Sequence, residues 1–466
     1  MNRTVPLILA VALFMENMDS TVIATSLPAI ARDIDTSPIA LKLALTAYLV
    51  SLAVFIPISS WMADRYGAKK VFRIAICIFM AGSVLCAISG SLLDFVLARF
   101  LQGIGGAMMT PVARLVIVRS TAKNQLVSAM AWLTMPGLIG PMIGPPVGGF
   151  ITTYASWHWI FLINLPIGVA GVWLAGKHLP HIEAAAVQPL DARGFLLVGL
   201  AASGIVFGLS VVSLPALPPI IGVITALFGL AMAGLYVMHA RRQANPILNP
   251  RMFSNATFRA AVLGGSTFRM GTGAVPFLLP LMFQLGFGLT PFQSGLLTFA
   301  SAVGALAMKF AAPATLRLGG FKTVLMCAGV LGSIFIGANA LFTPETPTSA
   351  IIATLVASGF FRSLFFTSSN TLVFAEIDER EASQATAIAA CTQQISLALG
   401  VAIGGGVLEG YSFFTGQPID LYGFRFAFVT VALVTLSSVF WFARLSPNSG
   451  NLVSGHRADK GAPTDS

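Results

Sequence analysis

Apolar runs of roughly 20 residues, separated by short polar breaks, repeat along almost the whole chain. A helix of that length spans the ~30 Å hydrocarbon core of a bilayer. The pattern predicts an all-α membrane protein with about fourteen spans. They lie near residues 5–30, 40–63, 71–90, 92–118, 125–151, 156–178, 194–213, 217–240, 257–286, 291–315, 323–343, 349–375, 383–408 and 422–444. Pro215, Pro218 and Pro219 crowd the turn between the seventh and eighth runs, and Pro276 and Pro280 bend the ninth. The first run follows Arg3 as a signal peptide would. Glu16 and Asp19 interrupt it and no small-residue cleavage site follows, so it reads as an uncleaved span.

The organisation reads as six spans, a pair, then six. Residues 1–180 form one bundle, 181–256 a linker with two extra helices, and 257–445 a second bundle. Residues 446–466 read as a disordered cytoplasmic tail. A repeat links the halves. Asp64-Arg65-Tyr66-Gly67-Ala68-Lys69-Lys70 follows span two, and Arg317-Leu318-Gly319-Gly320-Phe321-Lys322 echoes it after span ten. Duplicated halves with a site between them are a transporter's build.

Composition and charge sharpen this picture. The chain is 56% hydrophobic and 9% charged, against about 25% charged in a soluble domain. A net charge of +10 raises nucleic acid as a partner, but the bases form no single face. Nineteen of the 27 Lys and Arg fall in breaks or ends of one parity, against Arg32 and Lys42 on the other. The positive-inside rule then puts both termini in the cytoplasm. The four cysteines lack metal-ligand spacing and read as buried small hydrophobes.

Within the fifth run, Gly140, Gly144 and Gly148 recur every fourth residue, with Gly149 beside them. They form a bare stripe on which another helix can approach backbone to backbone. Pro141, Pro145 and Pro146 bend the same helix, which a membrane tolerates only where protein covers the freed carbonyls.

These segments resemble the major facilitator superfamily, in its fourteen-span drug:proton antiporter branch (the EmrB and QacA type), nearest the MdtD-type exporters. Asp19 to Pro28 is similar to the branch's first-span motif, and Asp64 to Lys70 to the superfamily's loop motif. Arg99-Phe100-Leu101-Gln102-Gly103-Ile104-Gly105 resembles its fourth-span motif, and Gly140 to Gly149 the fifth-span motif of antiporters. Trp157 to Gly168 is typical of fourteen-span members. Ser60 and Ala68 depart from the loop motif, where glycine and a base are usual. The resemblance implies a bacterial inner-membrane exporter of small amphiphiles, with the proton as coupling ion and no cofactor. A monomer in the lipid bilayer is expected, with a small-molecule substrate and no nucleic acid. An importer or uniporter of the same fold is the alternative. An enzyme is disfavoured, because no nucleophile–base pair or His/Asp/Glu cluster stands out.

Charges inside spans carry the chemistry, since each is costly in lipid unless paired or wetted. Glu16 and Asp19 are the acids found away from span ends. Three residues apart, they share a helix face and suit the loading of a proton. Arg99 lies within ~5 Å of Asp19 in depth at the helical rise, so the two can pair. Arg269 and Arg362 sit near mid-membrane with no second-half acid deep enough to meet them. They are expected to line the substrate cavity with Met15 and Gln102, favouring neutral, zwitterionic or anionic substrates. Gating is expected of Asp64, Arg65, Gly67, Lys69 and the stripe Gly140, Pro141, Gly144, Pro145, Gly148, Gly149. By resemblance, Asp64 caps the start of span thirteen near Arg380.

Overall fold

The computed structural model describes residues 4–121, 125–180, 189–212, 214, 217–378, 381–446 and 449–450. The tail beyond Gly450, and Arg3, Lys123 and Arg380 on which part of the sequence reading rests, lie outside them. Among the described residues the regular structure is helical throughout. Lipid allows this, because a helix satisfies its own backbone groups. The first half holds α1 (Thr4–Val22), α2 (Leu27–Asp33), α3 (Lys42–Tyr66), α4 (Ala68–Ala87), α5 (Leu92–Ser120), α6 (Leu126–Tyr154), α7 (Trp159–Leu162) and α8 (Asn164–His178). Then come α9 (Ala192–Val212) and α10 (Pro219–Arg242). The second half holds α11 (Ala256–Leu281), α12 (Pro291–Ala338), α13 (Thr348–Phe374), α14 (Ala382–Thr415), α15 (Leu421–Ser437) and α16 (Val439–Ala443). Among the described residues, twelve helical stretches are long and apolar enough to cross a membrane. Helices α6 and α11 run a further 29 and 26 residues.

The repeated motifs turn the chain in the same way. Gly67 separates α3 from α4 at φ 87°, and Gly320 breaks the helical path of α12 at φ 64°. Side chains rarely adopt that backbone region, so glycine at both places is a conformational requirement. Helix α1 packs on α6 and α8, and α5 on α3 and α4; in the other half α11 packs on α14 and α15. Between the halves, α3 meets α14 and α6 meets α12. Helices α9 and α10 pair with each other, and α9 leans on both α3 and α14.

The halves share their larger core at one end, and a smaller one midway, where Val50 and Val54 of α3 meet Ala398 of α14 and Val206 of α9. In the larger core Val22, Ile23 and Leu27 of the first half are buried with Phe277, Leu278 and Phe283 of the second. Gln284 Nε2 donates to Thr25 O at 2.9 Å, and the Phe292 amide to Thr153 Oγ1 at 3.1 Å. Towards the end that carries the N-terminus the buried cores are separate. One gathers Leu9, Phe72 and Val112, the other Phe258, Phe321 and Phe442. Among the described residues the bundle is therefore closed at one end and split at the other.

Three expectations need correction here. Helix α14 continues past residue 408 to Thr415, which places Glu409 inside a helix. Lys42 is no loop base: it begins α3, is wholly buried, and pairs with Glu409. Cys77 and Cys327 are exposed, on outward faces shared with Ile74 and Ile334, and only Cys86 and Cys391 are buried.

Candidate functional site

Asp19 sits on α1 with no exposed surface, although a lone carboxylate there would be untenable. Donors from two other helices compensate it. Arg99 Nη1 and Gln102 Nε2 of α5 donate at 2.6 and 2.9 Å, and Asn164 Nδ2 of α8 at 2.8 Å. Arg99 and Gln102 are three apart, so one face of α5 presents both. Ser83 Oγ of α4 accepts from Gln102 Nε2 at 2.8 Å and from Asn164 Nδ2 at 3.2 Å, and donates to Phe79 O at 3.0 Å. The Arg99 guanidinium lies 4.3 Å from the Tyr48 ring centroid of α3. A single carboxylate thus ties α1 to α5 and α8. Removing one partner of such a buried pair costs about 3–5 kcal/mol, because the other charge is stranded.

Glu16 lies one turn earlier and behaves differently. It keeps partial exposure, and its Oε2 accepts from Thr110 Oγ1 of α5 at 2.9 Å. Both acids therefore face α5, one sealed and one reachable.

The glycine stripe holds α6 against α1. A methyl at Gly140 would meet Met18 N, at Gly144 the Thr21 hydroxyl, and at Gly148 the Val22 carbonyl. Gly149 instead faces Pro291 of α12, and Gly295 of α12 faces Pro145, so the same helix touches the opposite half. Pro141 and Pro145 line a cavity of about 510 Å³ between the halves. Asn17 and Thr21 of α1, Pro276 and Pro280 of α11, and Gln393 of α14 also reach it.

Of the expected cavity residues, Arg362 lines this space. Met15 does not: it is fully buried in the first-half core. Gln102 is equally buried, spent on Asp19 and Ser83. Arg269 stands behind the wall, its Nη2 donating to Asn370 Oδ1 at 2.5 Å and its guanidinium 5.2 Å from the Phe366 centroid. Asn370 and Phe366 are the residues that reach the cavity. Lys309 of α12 lines it too.

The gating residues are only partly where they were expected. Asp64 Oδ1 lies 2.7 Å from Arg119 Nη2 at the end of α5, so its ion pair stays within its own half. At the start of α14, Glu381 occupies the N-cap without a side-chain bond. Lys69 Nζ donates to Leu179 O, the carbonyl just past α8, at 2.9 Å. Arg65 is exposed. Sequence reasoning missed Tyr48, Ser83, Asn164, Lys309 and Glu409. Asn164 and Ser83 carried a usable signal, as uncharged polar residues inside apolar runs.

Known proteins agree with this architecture. The profile of the Major Facilitator Superfamily matches residues 9–238 and 261–464. HsrA of Haemophilus influenzae, named as a candidate transport protein, is 35% identical over 443 residues, 95% of this chain and 96% of its own. MdtD of Yersinia enterocolitica, named as a candidate multidrug resistance protein, is 34% identical over 455 residues, 95% of each chain. Among solved structures, a D-xylose–proton symporter superposes with a TM-score of 0.70 at 14% identity, covering 96% of this chain and 98% of its own. At that identity the likeness speaks for the fold alone.

Proposed function

The chain belongs to the major facilitator superfamily, and from that premise we propose that it is a proton-coupled exporter of small amphiphilic compounds. It is a multi-pass membrane transporter and not an enzyme. The observation that carries the finer reading is the construction of α1. One helix turns Glu16 and Asp19 to α5, offers Asn17 and Thr21 to the cavity, and rests on the glycine stripe of α6. A protonation change on that helix and a change at the cavity wall therefore act on one rigid element. Two-state alternation needs such an element, biased by both ligands.

In this reading the chain spans a bacterial inner membrane fourteen times with both termini in the cytoplasm, counting α6 and α11 as spans. The closed end faces the periplasm and the split end the cytoplasm, ready to load cargo for export. The relatives named for multidrug resistance support outward transport. Glu16 exchanges the proton and the Asp19–Arg99 pair relays its effect to α5 and α8. Its reach to partial surface supports that role, since a sealed carboxylate cannot trade protons with water. The test uses everted membrane vesicles presented with a panel of fluorescent amphiphiles in the outer medium. An imposed acid-inside gradient should drive their uptake, and collapsing the gradient should release them. Flux indifferent to the gradient for every compound would remove proton coupling.

A further inference from the structure

The cavity between the halves is charged on one wall. Arg362, Phe366 and Asn370 follow at four-residue spacing on α13, so they share a face, and all three line the space. Lys309 of α12 lines it beside them, its Nζ donating to Thr367 Oγ1 at 3.2 Å. The Asn370 carbonyl oxygen is occupied from behind by Arg269, which leaves the amide hydrogens as its remaining polar group. Two cations and an amide donor thus line one cavity, and no carboxylate stands among its described lining residues. The acids inside the bundle are engaged elsewhere: Asp19 with Arg99, Glu16 with Thr110 of α5, and Glu409 with Lys42 at the closed end. Val275, Leu279 and Phe299 supply apolar lining, and Asn17, Thr21 and Gln393 neutral polar groups.

We propose that this cavity seats an amphiphile with a carboxylate or sulfonate head group between Arg362 and Lys309, its apolar body lying against Val275, Leu279 and Phe366. The assignment rests on the reading of this space as the substrate cavity. Cations in a low-dielectric space are costly, and an anion removes that cost in the bound state while an ammonium adds to it. The volume, about 510 Å³, suits a drug-sized molecule. Arg362 supplies the planar fork that matches a carboxylate, and Lys309 a point charge.

Three probes sharing one ring system separate the head group from the body: naphthylacetate, naphthylacetamide and naphthylmethylammonium. Binding is measured to the full chain in lipid nanodiscs, with the melting temperature checked for each variant. The acetate should bind most tightly. Arg362→Gln should weaken it by about tenfold or more, as expected for a lost charge-assisted bond, and weaken the acetamide far less. Arg362→Lys should keep part of the preference, and Lys309→Gln should reduce it independently. The inference is overturned if the ammonium binds as tightly as the acetate. It is equally overturned if the acetate preference survives both substitutions, or if none of the three binds to folded protein. Gradient-driven export of the ammonium but not the acetate would refute the anion site and leave the exporter reading standing. Binding of the acetate without gradient-driven flux of any probe would do the reverse.

Discussion

Lys42 at the start of α3 donates from Nζ to Glu409 Oε2 of α14, and this buried ion pair joins the two halves at their closed end. Lys42 has no exposed surface, and Gly405, one turn before Glu409, lies against its aliphatic stem. Opening that end must part the two charges or carry water to them. The pair is therefore placed to act as a latch on that end.

Lys42→Gln and Glu409→Gln should each destabilise the purified protein by about 3–5 kcal/mol, because each strands a buried charge. The double substitution should be milder than the sum of the two. Melting curves for the four members of this cycle check it. Strictly additive effects would show that the two side chains are not coupled.

The two acids of α1 should separate by phenotype. Asp19→Asn strands Arg99, so the melting temperature should fall and gradient-driven efflux should cease. Cargo binding should persist, since Asp19 lies outside the cavity. Glu16→Gln can still accept from Thr110, so the fold should hold while the pH dependence of efflux disappears. If Glu16→Gln transports with an unchanged pH profile and Asp19→Asn loses only coupling, the proton belongs to Asp19.

Packing of α6 on α1 tolerates no added carbon at Gly144, where even a methyl meets the Thr21 hydroxyl. Gly144→Ala should impair transport, and Gly144→Leu should abolish it or leave the protein leaky to protons. Gly90→Ala, where a methyl meets nothing, is the matched control and should behave as the parent. Comparable transport by Gly144→Ala and Gly90→Ala would reduce the stripe to a folding aid.

Topology is checked by reporter fusions. Fusions after Asp35 and Glu345 should report the periplasm, and fusions after Lys123 and Arg242 the cytoplasm. A cytoplasmic signal at Glu345 would refute the second-half span count.

Much of this architecture is local and was open to reading along the chain. Lipid forces every spanning segment into a long apolar helix, so the runs expose themselves without any knowledge of their neighbours. The four-residue period of Gly140, Gly144 and Gly148 likewise commits one helix face to close packing whatever the partner. The Asp19–Arg99 pair followed from depth, because two opposite charges at one level of a membrane have few other partners. Helical order alone could not say which partner lies across each face. Met15 and Gln102 sit on the right helices, but they turn into the first-half core and not toward the cavity. Arg269 and Arg362 looked equivalent at mid-membrane until α13 placed Asn370 and Phe366 between Arg269 and the open space. Asp64 found Arg119 because α5 ends beside α3. Lys42 and Glu409, at the edges of their apolar runs, became a buried pair only when α14 ran past residue 408 against α3. Period and hydropathy act within one helix, whereas cavity, latch and ion-pair choice depend on how separate helices are rotated and packed on one another.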